Sequence, residues 1–208
     1  MKSTDFLKED EIDKWAHEKP QSKLGSELDA YIQLIRKHCQ PYLQQVTNPT
    51  AMYRGFGAYN ELFAHNEVDL NKRPPINTPP EVHKALNIYF KKQFGAEFRN
   101  ALFCTGNSQD ASYYGRLFVV FPIGEFDFLW SPNIKDLFVE YKRLAYKGET
   151  DLKEFIGLLK RKGNYQTTDL NAAIISGKEI MIRCHSYYGL NFEDIKDNLN
   201  LIRHELHR

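Results

Sequence analysis

The short apolar segment Ala51-Met52-Tyr53 leads into Arg54-Gly55, so an arginine is expected where a strand opens into a loop. A guanidinium is planar and permanently charged, which suits it to holding a phosphate through two N–H donors. Gly55 beside it would let a ligand approach the backbone. The alternative use of Arg54 is an ion pair with a carboxylate at the core edge. Further on, Leu102-Phe103-Cys104-Thr105-Gly106 reads as a buried strand ending in a hydroxyl and a glycine. Ser108 to Gly115 reads as a helix with Ala111 inward and Tyr113-Tyr114 near its end. A tyrosine offers a flat face for stacking and a hydroxyl for orientation, or else it fills the core. Last, Gly177-Lys178-Glu179-Ile180-Met181-Ile182 places a carboxylate at the head of a hydrophobic strand, where it can point out of the sheet edge. The alternative is a solvated strand-start residue paired with Lys178 or another cation.

Other chemistries find less support. Cys104 would need His185 or His83 as a base, but cysteine on an apolar strand is usually core. His204 and His207 lie three apart on a terminal helix, with no acidic third ligand at a fixed offset. No GxxxxGK[ST] or GxGxxG occurs, so no standard phosphate loop or dinucleotide fingerprint is present. Cys39, Cys104 and Cys184 are an odd count without a CxxC pair. They argue against a disulfide framework and a structural zinc, and for a reducing compartment.

These residues need elements to position them. Residues 1–25 are a highly charged lead-in ending in a Pro/Gln/Ser/Gly stretch. Ser26 opens a capping-box-like start to a helix over 26–47, whose apolar face includes Leu28, Ile32, Ile35 and Cys39. Pro41 should kink or end it, and Asn48-Pro49 marks a turn. Residues 64–80 form a long proline-rich loop, and loops of that length are usually functional or mobile. In Thr78-Pro79-Pro80-Glu81 the threonine caps, a proline occupies the first turn and the glutamate reaches back. The helix that follows carries Val82, Leu86, Phe90 and Phe94, with Gly95 as its terminator.

Strands are expected at Ala101–Thr105, Leu117–Phe121, Phe126–Trp130 and Glu179–Cys184, the last in chain order. Ser131-Pro132 should open a helix through Leu144, a second helix follows Thr150, and Thr168 should cap a short helix over 169–176 ended by Gly177. A C-terminal helix spans 192–207. Helices followed by mixed strands and helices favour an α+β fold over an alternating parallel sheet.

The chain has 208 residues, enough for one domain with a real core, and 28 Lys+Arg against 27 Asp+Glu leave a formal charge of +1. A dedicated nucleic-acid binder normally carries a basic excess. Nucleic acid is therefore not indicated as a partner, although a local basic patch stays open. No apolar run approaches the roughly 20 residues of a membrane span, and the charged N-terminus lacks an apolar signal-peptide region. No membrane association is expected.

The order aromatic-Arg-Gly, a strand ending in a hydroxyl residue, a helix feeding a strong strand, and a glutamate heading an Ile-Met-Ile strand resembles the ADP-ribosyltransferase fold. Specifically it is similar to the Arg…Ser/Thr…Glu branch and to bacteriophage-encoded members, over about residues 50–190. The resemblance implies two small, mostly antiparallel sheets around a cleft with flanking helices, within a single domain over 26–208. It implies NAD as substrate and no metal. Arg54 corresponds to the arginine that holds the NAD phosphates, and Thr105 to the strand hydroxyl that buttresses the nicotinamide pocket. Glu179 matches the catalytic glutamate, which hydrogen-bonds the 2′-OH of the nicotinamide ribose. Tyr53, Gly55, Arg73, Tyr113 and Tyr114 join Arg54 and Thr105 as candidate NAD-binding residues.

The family's Ser-Thr-Ser strand reads Cys104-Thr105-Gly106 here. Gly177 stands where arginine-modifying members carry a second Glu or Gln, two residues before the catalytic one. The activity so implied is NAD-dependent mono-ADP-ribosyl transfer to an unknown acceptor, a protein in the first instance. NAD hydrolysis would be the default without one. The expected location is the cytoplasm, that of the host if the chain is phage-encoded. The alternatives are a non-catalytic nucleotide- or protein-binding module on the same fold, or a virion-associated interaction protein.

Overall fold

β4, Arg116–Pro122, is the strand around which the first sheet is built. Its sequence RLFVVFP is apolar after the first residue, and every residue from Leu117 to Pro122 is buried. A run apolar on both faces suits a central strand, covered on each side. β1 (Tyr53–Phe56) lies along one edge of it and β7 (Ser186–Asn191) along the other. β2 (Phe63–Glu67) completes the antiparallel order β1-β4-β7-β2. The second sheet is β3-β6-β5, formed by Leu102–Cys104, Ile180–Arg183 and Asp127–Trp130, also antiparallel. The computed structural model describes residues 25–47, 50–57, 61–72, 78–146 and 151–208. The expectations for the lead-in up to residue 24, the Asn48-Pro49 turn, Thr150 and Arg73 lie outside these.

Among the described residues, a backbone bridge between Tyr53 and Thr105 joins the two sheets. Tyr53 N–H donates to Thr105 O at 2.7 Å, and Thr105 N–H donates to Tyr53 O at 3.0 Å. Around this junction the helices divide the core in two. Alternation along the second sheet sends Leu102, Cys104, Phe128, Trp130, Ile180 and Ile182 into a core shared with the first sheet. Leu129 and Met181 face a second core made with α3 (Pro80–Phe94), α5 (Leu137–Tyr146) and α6 (Leu152–Leu158). This period-two partition is what a strand buried on both faces requires. The fold is thus α+β, two small antiparallel sheets with flanking helices.

Several boundaries differ from expectation. The first helix breaks at Cys39 into α1, Ser26–His38, and α2, Gln40–Leu43, with Pro41 in the first turn of the second, where its missing N–H costs nothing. Ser26 does not cap: Gly25 holds the N-cap position, with no side-chain hydrogen bond. Nor does Thr78, which is buried one residue before the N-cap Pro79. Gly95 does end α3, in the left-handed conformation. Arg54 lies inside β1 rather than at a strand end. The loop expected over 64–80 begins instead as β2.

Ser131 is spent on a turn, its hydroxyl accepting from Asn133 N–H and Ile134 N–H. Helix α5 therefore starts after Asp136, whose carboxylate accepts from Phe138 and Val139. Asp169, not Thr168, caps α7, Leu170–Ser176. α4 spans Ser108–Ser112, shorter than the helix expected from Ser108 to Gly115, and is capped by Asn107. The C-terminal helix is divided into α8, Phe192–Ile195, a 3₁₀ turn, and α9, Leu199–Leu206. Among the described residues no helix is long and apolar enough to cross a membrane.

One polar cluster ties the first sheet to α1. His38 Nδ1 lies 2.7 Å from the Tyr188 hydroxyl, and the His65 ring sits 5.1 Å from the Tyr188 ring. Burial lowers the pKa of His38 below its ordinary 6.5, with Lys37 and His65 adding to the effect. Burial likewise lowers that of His65, against an opposing contribution from Glu67. Below pH 6.5 the unfolded chain therefore binds more protons at these sites than the folded one does. Their contribution to stability is complete above that value and is lost as the pH falls below it, through the lower values the two rings have in the folded state. The melting temperature should drop from about pH 7.5 to about pH 5.5, and the drop should shrink in His38→Asn and His65→Asn. An equal acid-induced drop in both variants would place its origin elsewhere.

Candidate functional site

The candidate residues converge on β3 and the junction it makes with β1. Cys104 opposes Ile180 at the end of the paired register, and Thr105 and Glu179 are the next residues outward on the two chains. Thr105 is also the residue that pairs with Tyr53. Arg54, next along β1, donates from Nη1 to Phe103 O at 2.8 Å. Arg54, Thr105 and Glu179 are thereby anchored on adjacent positions of one seam, not on opposite sides of the molecule. The Arg54 guanidinium carbon lies 5.5 Å from the Phe56 ring centroid, and its buried Nε makes no hydrogen bond among the described residues.

Thr105 works on the turn that delivers Glu179. Its hydroxyl donates to Gly177 O at 2.8 Å and accepts from Asn107 N–H at 3.1 Å. Gly177 ends α7 with φ 65, a left-handed conformation that an L side chain adopts only under strain. Chain direction then reverses, and Glu179 N–H donates to Lys135 O at 2.8 Å before β6 begins.

Glu179 neither stands free in solvent nor pairs with Lys178. Its Oε1 accepts from Arg99 Nη1 at 3.1 Å, with the two side chains 17% and 6% exposed respectively. Lys178 Nζ donates instead to Pro132 O. The Arg99 guanidinium stacks 4.3 Å from the Phe103 ring centroid, and its Nη1 lies 3.9 Å from Met181 Sδ. Beneath lies Tyr165, whose buried hydroxyl makes no hydrogen bond among the described residues. Burial first, and the negative charge of Glu179 next, raise its pKa well above the usual value.

Sequence reasoning missed Arg99 and Tyr165. The available signal for Arg99 was the polar pair Arg99-Asn100 lodged between Phe98 and Ala101-Leu102, all of them buried.

Tyr113 and Tyr114 are not core: they are 76% and 60% exposed. The Tyr114 pKa is raised by burial, then by Asp136, Glu179 and Asp110, so its phenol lies in the field of the candidate carboxylate. Two other assignments need correction. Tyr53 is a core residue, its ring edge-on to Phe192 at 5.7 Å and its hydroxyl bonded to Arg203, so it offers no face to a ligand. Gly55 is small for α4, not for a ligand. A Cβ there would collide with Ala111 O and come within 2.9 Å of Tyr114 Cβ. Arg73 lies outside the described residues.

The arrangement offers a cation at Arg54, a carboxylate fixed by Arg99, and exposed aromatic faces on the α4 side. Such a set can bind an anionic ligand and stabilise positive charge developing on it. Comparison of the chain with family models, with curated proteins and with solved structures finds no match.

Thr105→Val should cost about 1–3 kcal/mol in urea unfolding, because Gly177 O and Asn107 N–H both lose their partner. Thr105→Ser should recover most of it. A valine variant as stable as wild type would remove the hydroxyl from the architecture of the seam.

Proposed function

We propose that the protein is an NAD-dependent mono-ADP-ribosyltransferase. The observation that carries this reading is the gathering of Arg54, Thr105 and Glu179 about Phe103–Thr105, where the two sheets join. Arg54 holds the NAD pyrophosphate: its bond to Phe103 O occupies one of five N–H donors. Thr105 braces the Gly177 turn and with it the wall of the nicotinamide pocket. Glu179 accepts a hydrogen bond from the ribose 2′-OH. The bond from Arg99 occupies one of roughly four acceptor positions on a carboxylate.

In the reaction the C1′–N bond to nicotinamide breaks and its electron pair leaves with the ring, which becomes neutral. Positive charge develops on the ribose C1′ and O4′, opposite the carboxylate. A lone pair of the acceptor then forms the new bond to C1′, and the acceptor's proton passes to solvent. When water is the acceptor the product is ADP-ribose. The carboxylate acts mainly in the transition state, where the charge exists, so its removal should appear in kcat. Tyr113 and Tyr114 present aromatic faces to NAD or to the incoming acceptor.

A second reading, a non-catalytic nucleotide- or protein-binding module, is favoured by one specific observation: the Glu179 carboxylate is already engaged by a buried arginine. The same experiment separates the two. With labelled NAD, wild type should release nicotinamide, Glu179→Gln should lower kcat by about 100-fold or more, and Arg54→Gln should act chiefly through KM. Calorimetric binding of NAD without release of nicotinamide would select the binding module. Equal turnover in Glu179→Gln would remove this carboxylate from the mechanism.

A further inference from the structure

We infer that Arg99 is a positioning residue that sets the orientation of the Glu179 carboxylate for the chemical step. This role rests on the ADP-ribosyltransferase reading. Arg99 is itself held from several sides, through its main chain as well as its side chain. Its backbone N–H donates to Asn87 Oδ1 at 2.8 Å, while Asn87 Nδ2 donates to Asn100 Oδ1 at 3.1 Å. His83 lies within hydrogen-bonding distance of both asparagines. The Phe103 ring covers one face of the guanidinium, and Met181 Sδ lies against Nη1. Asn87, Arg99 and Asn100 are all buried. With the main chain anchored and the fork held between the Phe103 ring and Met181, its Nε making no hydrogen bond among the described residues, Nη1 is directed at Glu179 Oε1. The other end of Glu179 is fixed by the bond from its backbone N–H to Lys135 O. The carboxylate is therefore constrained from both the side chain and the main chain.

Stability alone does not account for this pair. Its surroundings are apolar, the Phe103 ring and Met181 belonging to the face turned to the second core, and apolar residues there would avoid desolvating two charges. What a fixed ion pair supplies and an apolar pair does not is a carboxylate whose oxygens are in place before charge develops. Electrostatic catalysis depends on that preorganisation. Arg99 touches no reacting atom in this account and acts through Glu179.

The test compares nicotinamide release by wild type, Arg99→Lys and Arg99→Gln, with a melting curve for each. In Arg99→Gln kcat should fall by about 30-fold or more while KM for NAD stays within about threefold, the signature of an interaction made mainly in the transition state. Arg99→Lys keeps the charge but not the fork, and should recover part of kcat without recovering all of it. An unchanged kcat in Arg99→Gln, or rates that simply follow the folded fraction in both variants, would overturn the role. Should Arg99→Gln fail to fold, Arg99→Lys decides alone: a kcat lowered about tenfold at unchanged KM supports positioning, and a wild-type kcat overturns it. A wild-type protein that releases no nicotinamide overturns the transferase reading first, and this role with it.

Discussion

Two backbone hydrogen bonds, exchanged between Tyr53 and Thr105, join the first sheet to the second. Each sheet is small, and neither closes on itself. The junction fixes where β1 and β3 lie relative to one another, and through β3 it fixes β6. Arg54 is one residue past the junction on β1, and Glu179 lies one register step from it on the β6 side. Neither side chain would have a defined place relative to the other without it. The first core backs the seam, with Met52 just before β1, Tyr53 on it, and Leu102, Cys104 and Ile180 on the other strands all buried.

The charges at the seam are arranged at some energetic cost. Arg99 and Glu179 lie largely out of water, and removing one member of a buried pair typically costs about 3–5 kcal/mol because the other is left uncompensated. Glu179 keeps 17% of its surface exposed, which places this pair toward the lower part of that range. The main-chain supports are less costly. Thr105 spends its hydroxyl on two neighbours, and Gly177 supplies the left-handed turn that lets Glu179 leave α7 and enter the second sheet.

Elements with one dominant physical signal were legible from residue order. LFVVFP has no use except as a covered strand. α3 announces itself by its apolar spacing and by Gly95, and Ile180-Met181-Ile182 divides between two cores as a strand covered on both faces should. β2 was hidden because Phe63–Glu67 is an edge strand carrying His65, Asn66 and Glu67, which read as loop. β7 was hidden by Gly189 in its middle, where the Phe118 ring leaves a Cβ only 3.2 Å of room.

Hydroxyl caps failed as a group. Thr78 is buried, Ser131 serves a turn, and where Ser131 and Thr168 were expected to cap, Asp136 and Asp169 accept from the first N–H groups. A carboxylate is the stronger acceptor there, since it also meets the positive end of the helix dipole. Of the site, the seam residues were readable as an order of types. Arg99 was not, because the polar pair Arg99-Asn100 between apolar neighbours does not say which carboxylate eighty positions later will meet it. Tyr53 and Gly55 were misread because a motif names neighbours in sequence, whereas the strand turns one inward and lays the other under a helix.

The second core bears on how this protein would tolerate change. Phe103 and Met181 share the face that carries the ion pair, and Val82, Leu86, Phe90, Phe155 and Leu159 fill the layer beyond it. Densely filled interiors transmit displacement instead of absorbing it. A substitution in that helical layer, remote from any ligand, would therefore be felt first as a tilt of the acidic group. Drift in the helices and the set of the carboxylate are therefore one evolutionary variable, and hardening the helical layer would shift the ion pair along with it.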